Sequence, residues 1–555
     1  MTQAARIIGI PGAGKTTRAI DIIAKVRDRG FSLQEVGFCS FTRAARREAA
    51  QRACETFGVP LESLEREGWF RTIHSACARL LRLPRGCIVN FDLDWLRDAL
   101  HDRDLDVVHD EEEDDLWVSA WKGKGPTRLA LTLWDVARNR LCPLLPVYEE
   151  AQSQLIKGAW DFPDYDEVLQ VIRDYEWAKK RDDRLDFSDI LLRYAGLAMT
   201  AEGPDKTDPQ GEIPPVPVWI FDEAQDTSPL LDKAARRLSD GCYWLYLFGD
   251  REQGIYGFGG ANPNSFMTWP VAHEEYLYKT WRCARAIIDL GLELILRSDD
   301  LTKELRQLAV EARCPGGTIK DDHEESLCEH VDDAAKSTLI MARTNAQLKE
   351  IHGRLTDERI PWRSVKTGAR WPLLTTLKLA QALANLQEGK SIDGEAFRRI
   401  VHGIPAQWLD RGTKQFYKRA ESVLEVKDCC LASAVAHGCT PALVTRIATG
   451  AWARPETGVI KQETAEAYQA QKRWGTAVVA NPPVQVSTIH GSKGLQADKV
   501  VLLTRINETI RRHLLSDEGG NEERRVWYVG ATRARDELVL LAGRRPNYEE
   551  IYDCL

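Results

Sequence analysis

The chain has 555 residues, of which 43% are hydrophobic and 28% charged, and its net charge is −8 at pH 7. This composition is that of a globular protein, its length predicts more than one domain, and its negative charge does not by itself favour nucleic-acid binding. No apolar run reaches the ~18 residues of a membrane span, and the N-terminus lacks a signal-peptide pattern. The 13 scattered cysteines include no CxxC pair, so we expect reduced thiols in a cytoplasmic protein.

A strand, a glycine-rich loop and a helix are predicted at the start of the chain. Residues 9–16 read GIPGAGKT, which fits the pattern G-x-x-x-x-G-K-[ST], and apolar residues at helical spacing follow. The N–H groups of such a loop hold the phosphates of a nucleotide, while Lys15 adds positive charge and Thr16 offers its hydroxyl to Mg²⁺. A small-molecule kinase would also carry this loop, so the loop does not identify the reaction. The predicted nucleotide-binding residues of this segment are Gly9, Pro11, Gly12, Ala13, Gly14, Lys15, Thr16 and Thr17.

A second site is predicted where the buried-strand run VWIF ends in two carboxylates, Asp222 and Glu223. In an open parallel sheet, ligands bind beyond the carboxyl ends of the strands, so both side chains should face the crevice of the phosphate loop. Asp222 is placed to hold Mg²⁺ through water, and Glu223 is placed to orient and deprotonate an attacking water. This combination indicates hydrolysis, and the alternative is an acidic helix N-terminus without chemistry.

Two later regions supply further candidates. An apolar run at 243–249 leads to Gln253 and then to the aromatic pair Tyr256 and Phe258, spaced by two. Near the C-terminus, a segment that predicts a well-packed helix is followed by Arg533.

The order of these segments resembles that of superfamily 1 DNA helicases of the UvrD/PcrA/Rep type. The resemblance runs from residue 7 to about residue 541 and is carried by GIPGAGKTT, FTRAARREAA, RTIHSACARLL, DFSDILL, IFDEAQD, FGDREQGIYGFGGA, YLYKTWR, VSTIHGSKGLQADKVVLL and ERRVWYVGATRARDEL. A single motif of this kind arises by chance, whereas the whole series in family order does not.

The resemblance implies an α/β fold with two RecA-like P-loop NTPase domains, whose sheets are parallel and each of which carries a mainly helical insert. The implied parts are a first domain at 1–86 and 186–275, its insert at 87–185, a second domain at 276–366 and 475–555, and its insert at 367–474.

ATP and Mg²⁺ are the implied cofactors, bound in the cleft between the two domains. The resemblance assigns Gln253 to the γ-phosphate and the attacking water, and it makes Arg282 and Arg533 arginine fingers from the second domain. Guanidinium groups that arrive when the cleft closes would stabilise a dissociative phosphoryl-transfer state.

The implied DNA track crosses both domains and combines backbone contacts with base stacking. The implied DNA-binding residues are Thr42, Arg43, Thr72, His74, Tyr256, Phe258, Thr488 and His490. Alternatives stay open, because His74 is also typical of a core or capping histidine, and Tyr256 and Phe258 of plain packing. Arg43 is also typical of a solvated helix face.

The chain departs from the family pattern in several places. Trp281 stands where relatives usually have a tyrosine that stacks on adenine, and its aromatic face should preserve the stacking. Gly494 and Gln496 are implied nucleotide contacts, although relatives usually carry a sugar-binding glutamate at the second position, and Gly259 replaces a frequent arginine. The adenine-reading glutamine expected well before Lys15 is missing, which predicts looser selection of ATP over GTP. A long C-terminal tail is missing too, so no partner is expected to dock on one.

The implied function is that of an ATP-dependent DNA helicase or translocase, in which hydrolysis stimulated by single-stranded DNA drives 3′→5′ movement and duplex unwinding. The polarity follows from the resemblance alone. The expected partners are single-stranded DNA and junctions between single and double strands, with the protein acting as a monomer and either insert able to bind a protein partner. Two alternatives stay open: a partner-dependent ATPase subunit of a recombination or nuclease complex, and an ATP-driven remodeller of protein–DNA complexes that does not unwind.

Overall fold

The computed structural model describes residues 2–40, 43–89, 92–102, 106–107, 121–122, 126–154, 162–298, 309–331, 336–418, 428–514 and 517–543. Its strands are β1 (Gln3–Gly9), β2 (Val36–Ser40), β3 (Trp69–Arg71), β4 (Asp106–Val107), β5 (Trp121–Lys122), β6 (Leu197–Thr200), β7 (Gly203–Lys206), β8 (Val218–Asp222), β9 (Trp244–Gly249), β10 (His273–Leu277), β11 (Thr318–His323), β12 (Thr338–Ala342), β13 (Trp362–Ser364), β14 (Arg370–Trp371), β15 (Val484–Thr488), β16 (Ala497–Leu503) and β17 (Ala534–Ala542).

The helices complete the element order. They are α1 (Lys15–Asp28), α2 (Arg43–Phe57), α3 (Leu61–Arg66), α4 (Ile73–Leu80), α5 (Leu93–Ala99), α6 (Pro126–Arg140), α7 (Leu144–Gln154), α8 (Tyr165–Arg181), α9 (Phe187–Ala195), α10 (Pro229–Leu238), α11 (Arg285–Leu296), α12 (Asn345–Asp357), α13 (Leu374–Gln387), α14 (Gly394–Gly403), α15 (Thr413–Phe416), α16 (Pro441–Ala448), α17 (Gln462–Trp474), α18 (Thr476–Ala480), α19 (Glu508–Leu514) and α20 (Asp517–Ala531). None of the helices in the described ranges has both the length and the apolar character that a membrane crossing requires.

Six parallel strands form the first sheet, in the order β10–β1–β9–β8–β2–β3. The central strands β2 and β8 are buried along their full length, which is why their sequences, VGFCS and VWIFD, are almost continuously apolar. Because all strands run the same way, the carboxyl ends of β1, β8 and β9 lie at one edge. That edge therefore holds Gly9, Asp222 and Gly249.

Helix α1 covers one face of the first sheet. The apolar stripe predicted from helical spacing is confirmed, because Ala19, Ile22, Ile23 and Val26 are all buried. They pack in one core with the strand residue Phe38. The helix that follows the glycine-rich loop is therefore fixed to the sheet along its length.

The second sheet has seven strands in the order β11–β17–β16–β12–β15–β13–β14. All its pairs are parallel except that of β13 with β14. Helix α20 buries Val526, Tyr528 and Val529, the residues predicted to pack it. Two largely parallel sheets with helices on their faces confirm the predicted α/β fold class.

The first insert leaves and re-enters the first sheet region at adjacent points. The amide of Val89 donates to Leu185 O at 2.8 Å, and the amide of Leu185 donates to Cys87 O at 2.9 Å. Helices α5–α8 lie between these two ends and share a core of their own around Trp134. Most of the acidic segment HDRDLDVVHDEEEDDLW, at 101–117 within this insert, lies outside the described residues.

The second insert is helical, with α13–α17 arranged around a core that includes Phe397 and Trp452. Two strands cross the boundaries expected from the sequence: β10 continues the first sheet to Leu277, and β14 adds to the second sheet after residue 366. We therefore propose a first lobe at residues 2–277 and a second lobe at residues 278–543, each without its insert.

Candidate active site

The glycine-rich loop joins the end of β1 to the start of α1. Gly12 and Gly14 have φ values of +71° and +82°, which glycine adopts without the strain that other residues would incur. Within the described ranges, no side chain caps the N-terminus of α1, so its N–H groups remain available to an anion such as a phosphate. Lys15 Nζ donates to Gly9 O at 2.9 Å, which holds the ammonium group against the loop.

Asp222 and Glu223 follow one another at the carboxyl end of β8. Glu223 has a φ of +54°, and its N–H donates to the Asp222 carboxylate at 3.0 Å. Burial and the neighbouring Glu223 raise the pKa of Asp222 to about 7, against the opposing effect of Lys15. Burial also disfavours the ionised form of Glu223, but Lys15 and Lys493 outweigh it and lower the pKa of that carboxyl. Glu223 is thus the member of the pair that is held ionised.

The predicted metal ligands have the chemistry that a magnesium ion requires. The raised pKa of Asp222 shows that its negative charge is incompletely compensated, and a divalent cation bound by oxygen atoms would supply that charge. Thr16 lies in the first turn of α1 and is half-buried. Asp222 and Thr16 therefore fit Mg²⁺, and their role as its ligands stays a prediction.

A hydrogen-bonded network joins the acidic pair to Gln253. The Gln225 amide donates to the Glu223 carboxylate, and its carbonyl accepts the Asp250 N–H at 3.0 Å. The Asp250 carboxylate in turn accepts from Gln253 Nε2 at 2.6 Å. No role was predicted for Gln225. Its position two residues after Glu223 is the feature of the sequence that indicates its place in this network.

Of the two arginines predicted in the second lobe, Arg533 bonds to this network, whereas Arg282 bonds to residues of its own lobe. Arg533 is only 1% exposed, and its guanidinium donates to the Gln253 side-chain carbonyl at 3.1 Å. Arg282 donates to Thr532 O at 3.2 Å and to the Gln496 side-chain carbonyl at 3.1 Å. Burial, followed by the like charge of Arg282, lowers the pKa of Arg533 to about 9. An anionic phosphate bound near both guanidinium groups would offset the cost of burying Arg533 and the repulsion from Arg282.

Three residues of the second lobe are predicted to contact the nucleotide: Trp281, Gly494 and Gln496. Trp281 is 62% exposed, and a Cβ atom placed on Gly14 would lie 3.7 Å from the Trp281 ring. The exposed indole therefore stands beside the phosphate loop, where a base could stack on it. Gly494 has a φ of +86° in a turn after β15. The side-chain carbonyl of Gln496 accepts from Arg282, and its contact with the nucleotide sugar stays a prediction.

Buried ion pairs close the two lobes around the network. Lys493 of the second lobe pairs with the buried Asp226 of the first and donates to Gln253 O at 2.6 Å. Arg525 of the second lobe pairs with Glu252 of the first at 3.2 Å, again with both side chains buried. These contacts were not predicted, because more than 260 residues separate each pair in the chain and only the fold brings them together.

The described residues among the first DNA-binding candidates of the first lobe lie at the starts of helices. Thr42 is outside the described residues, and Arg43 begins α2 with a side chain that is likewise not described. Thr72 caps α4 by accepting the Ser75 N–H at 3.3 Å. His74 is nearly buried, with its ring edge-on to Phe187. These positions give Thr72 and His74 structural contacts, and their DNA contacts stay a prediction.

The remaining DNA candidates meet where the lobes touch. Tyr256 is 2% exposed and donates from its hydroxyl to His490 O at 3.5 Å. Thr488 accepts the Gly491 N–H at 3.0 Å and so orders the turn that contains His490. Burial, followed by the charge of Arg343, lowers the pKa of His490 well below its usual value. Base stacking on Tyr256 would therefore require the lobes to part.

Phe258 lies in the short turn Gly257–Gly259, and its side chain is outside the described part of the structure. The turn itself is held from two sides. Arg140 of the first insert donates to Gly257 O at 3.4 Å, and a Cβ atom on Gly257 would lie 2.7 Å from the Glu522 carboxylate of the second lobe. Insert, first lobe and second lobe therefore meet at this turn.

Comparisons with known proteins agree with the order of these elements. The family model of the UvrD/REP helicase N-terminal domain matches residues 1–270, and that of the UvrD-like helicase C-terminal domain matches residues 468–544. The ATP-dependent DNA helicase PcrA of Leuconostoc citreum is 24% identical over 439 residues, which cover 72% of this chain and 53% of that protein. The ATP-dependent DNA helicase UvrD2 of Mycobacterium bovis is 24% identical over 422 residues, which cover 67% of this chain and 54% of that protein.

A shorter similarity links the chain to the RecBCD enzyme subunit RecB of Mycolicibacterium smegmatis, at 31% identity over 133 residues, or 12% of that protein. The chain spans about half the length of PcrA and UvrD2. The two family models nevertheless match the first lobe, with its glycine-rich loop, and the C-terminal part of the second lobe, up to the strand that follows Arg533. The chain therefore belongs to the UvrD/PcrA/Rep-type superfamily 1 helicases.

Proposed function

We propose that the protein is an ATP-dependent DNA helicase or translocase whose ATP hydrolysis is stimulated by single-stranded DNA. The observation that carries this proposal is the hydrogen bond from Arg533 of the second lobe to Gln253 of the first. It aligns a buried guanidinium from one lobe with the carboxylates and the phosphate loop of the other. Hydrolysis in such a cleft depends on how the lobes meet, so the cycle of binding and release is also a cycle of lobe movement.

The chain's own residues divide the chemistry between the lobes. The phosphate loop and Lys15 bind the triphosphate, and Thr16 with Asp222 would hold Mg²⁺, which shields the phosphate charge when bound. Glu223, held ionised, accepts the proton of the attacking water, while Gln253 orients that water. Arg282 and Arg533 supply positive charge to the transferring phosphoryl group.

The coupling to DNA follows from the place where the DNA candidates lie. Tyr256 and His490 face each other across the lobe contact, next to Lys493, which also bonds Gln253 of the hydrolysis network. A strand bound across both lobes would change this contact whenever the cleft opens or closes. We propose movement in the 3′→5′ direction and action at junctions of single- and double-stranded DNA, by a monomer.

The test uses the purified chain alone. Hydrolysis should rise on addition of single-stranded DNA, and forked duplexes with only a 3′ tail should be displaced faster than those with only a 5′ tail. Hydrolysis that DNA leaves unchanged would contradict the proposal. Stimulated hydrolysis without displacement would instead favour a partner-dependent subunit, the reading that the similarity to RecB supports.

A further inference from the structure

The chain passes from the first lobe to the second through residues 278–284. All described strands of the first sheet end by Leu277, and those of the second sheet begin at Thr318, with α11 starting at Arg285. The connecting segment does not run free through solvent. It passes along the phosphate loop and carries Trp281 and Arg282 beside it.

Thr280 lies at the centre of this connection and is 0% exposed. Its hydroxyl donates to Pro11 O of the phosphate loop at 2.7 Å. The same oxygen accepts the N–H groups of Arg282 and Cys283, each at 3.2 Å. One hydroxyl therefore bonds the loop and also sets the backbone of the turn that bears Arg282.

The connecting segment bonds to carbonyl groups of the phosphate loop, which are the groups that phosphate binding leaves free. Its N–H groups face the anion, so its carbonyl groups face away from the nucleotide. Two of these carbonyls are bonded by the connecting segment, Pro11 O by the Thr280 hydroxyl and Gly12 O by the Trp281 N–H at 2.8 Å. A change in the tilt of the loop peptides on phosphate binding is therefore transmitted directly to the segment.

The phosphate loop and the connecting segment are closely packed against each other at Gly12. A Cβ atom on Gly12 would lie 2.4 Å from Arg282 Cβ and 2.9 Å from the Thr280 hydroxyl oxygen. Distances this short do not occur between real side chains, so glycine at position 12 is required for the approach as well as for its positive φ. Close packing of this kind transmits small displacements instead of absorbing them.

The turn also bonds to the residue that precedes the second arginine. Thr532 O accepts from the Arg282 guanidinium at 3.2 Å and from Cys283 Sγ at 3.4 Å. Thr532 directly precedes Arg533, whose guanidinium reaches Gln253. Bonded steps therefore run from the phosphate loop through Thr280 to both arginines.

We propose that Thr280 is a positioning residue that couples the phosphate loop to Arg282 across the connection between the lobes. The proposal rests on the proposed function, because it concerns the same hydrolysis site. Thr280 does not touch the nucleotide; its hydroxyl holds the turn from which Arg282 reaches the transferring phosphate. Nothing in the sequence pattern marks it, since a threonine before Trp281 reads as an ordinary loop residue.

The first test compares Thr280→Val, which keeps the shape and removes the hydroxyl, with Thr280→Ser, which keeps the hydroxyl. Loss of a buried hydroxyl with bonded partners should lower kcat of DNA-stimulated hydrolysis by about 10- to 100-fold. KM for ATP should change by less than about threefold, because the loop still binds phosphate, and Thr280→Ser should restore most of kcat. A rise in KM with kcat unchanged would overturn the proposal, as would failure of Thr280→Ser to restore kcat.

The second test measures binding without turnover. Wild type should bind ADP with tetrafluoroaluminate, which mimics the transferring phosphoryl group, more tightly than ADP alone, because Arg282 is in place to contact it. Thr280→Val should keep the affinity for ADP and lose most of this gain. An unchanged gain in Thr280→Val would contradict the coupling even if hydrolysis were slowed.

Thr440→Val is the matched control. The Thr440 hydroxyl donates to Trp408 O at 3.1 Å and accepts the Leu443 N–H at 3.3 Å, the same pattern of bonds but within the second insert. This variant should leave both readouts unchanged. If Thr280→Val does not fold, Thr280→Ala replaces it and must show the same split. Wild-type hydrolysis without DNA stimulation would refute the proposed function, while the comparison of ADP with and without tetrafluoroaluminate would still decide the role of Thr280.

Discussion

Glu223 has a left-handed backbone conformation and an ionised carboxylate, which the proposed general base requires. Its φ of +54° lies in the left-handed region, which disfavours a non-glycine residue by roughly 1–2 kcal/mol. That conformation turns the carboxylate towards Gln225 and lets its N–H bond to Asp222. The nearby Lys15 and Lys493 keep the carboxylate ionised despite burial. The backbone strain therefore lies at the residue whose carboxylate must be correctly oriented to act as the proposed base.

We predict that Glu223→Gln binds ATP but does not turn it over. The amide keeps the size of the side chain and cannot accept a proton, so kcat should fall by about 10²- to 10⁴-fold with little loss of nucleotide affinity. Single-turnover hydrolysis and equilibrium binding of a fluorescent ATP analogue measure the two quantities. Glu388→Gln, an exposed substitution in the second insert, is the control. Turnover near that of wild type would remove Glu223 as the base.

Gln496 gives a second prediction at the scale of single residues. Its carbonyl accepts from Arg282, so Gln496→Ala should loosen that guanidinium and lower kcat about two- to tenfold, the range of one hydrogen bond. Gln496→Glu should retain activity, because a carboxylate accepts the same bond. The sugar contact expected from the family resemblance predicts a different result: KM for ATP would rise, and KM for 3′-deoxy-ATP would not. Steady-state kinetics with both nucleotides distinguishes the two roles.

Sequence patterns could identify the residues whose position follows from a strand end or a loop. Lys15, Asp222 and Glu223 are of this kind, because parallel strands bring their carboxyl ends to one edge. Thr280 and Lys493 could not be identified in this way. Their partners lie 269 and 267 residues away, so their roles depend on how the two lobes pack.

Helices α6, α8 and α9 are joined by buried charges where the first insert meets its lobe. Asp186 accepts from Arg138, at 2.7 Å in its shorter bond, and from Lys179 at 2.9 Å, with all three side chains buried. Burial opposes ionisation of Asp186, but Arg138 and Lys179 outweigh it and hold its pKa well below the usual range. The sequence predicts a helical insert here, but it does not predict that these charges pair in the interior. A charged residue on a predicted helix is usually exposed to solvent, and only the packing of the helices shows that these are buried.

We predict that Asp186→Asn weakens this joint by about 1–3 kcal/mol, because Arg138 and Lys179 lose one buried charged partner and keep Asp189. Hydrogen exchange should speed up in α6, α8 and α9 and stay unchanged in α11. Asp174→Asn, at an exposed carboxylate of α8 that accepts from Gln170, should have no such effect.

The contribution of Asp186 to the pH dependence of this joint has a defined sign. Because the pKa of Asp186 is lowered on folding, its contribution is present above the unfolded carboxyl pKa of about 4 and is lost as the pH falls below it. In wild type, the protection factors of these helices, which correct for the slower intrinsic exchange of amides in acid, should therefore fall as the pH drops through this contribution, and Asp186→Asn should flatten that dependence. An acid dependence identical in both proteins would contradict the role of Asp186.

The two lobes carry complementary charge where they meet. The first lobe contributes the acids Asp226 and Glu252, and the second contributes the bases Lys493 and Arg525. Arg533 adds a further base opposite Gln253. The fold class and the two-lobe organisation could be predicted from the sequence, because buried-strand runs and loop motifs are local. The set of pairs that closes the lobes could not, because no local pattern distinguishes these charges from others in the chain.

Lys493 joins the contact between the lobes to the network proposed for hydrolysis. It pairs with Asp226, donates to Gln253 O, and lies 5.1 Å from the centre of the Tyr256 ring. One ammonium group thus touches the hydrolysis network and the aromatic residue predicted to contact DNA. Opening of the lobes must break all of these contacts together, which provides a physical route from the state of the nucleotide to the grip on DNA.

We predict that Lys493→Met and Asp226→Asn each slow DNA-stimulated hydrolysis and strand displacement, and that the double variant is less impaired than the sum of the two. Each single change leaves one buried partner unsatisfied, whereas the double change removes both, so the coupling should be about 0.5–3 kcal/mol. The pair Lys390→Met and Glu388→Gln, an exposed ion pair in the second insert, should show no coupling.

Distances between dyes placed on the two lobes should report the same cycle directly. Without nucleotide, the single variants should populate more open lobes than wild type, because the closed state loses a buried ion pair. Strictly additive effects on displacement, together with unchanged dye distances, would mean that Lys493 and Asp226 stabilise the lobes separately. The route from the hydrolysis network to the DNA contact would then have to run through the connecting segment at Thr280 instead, which the Thr280 variants test independently.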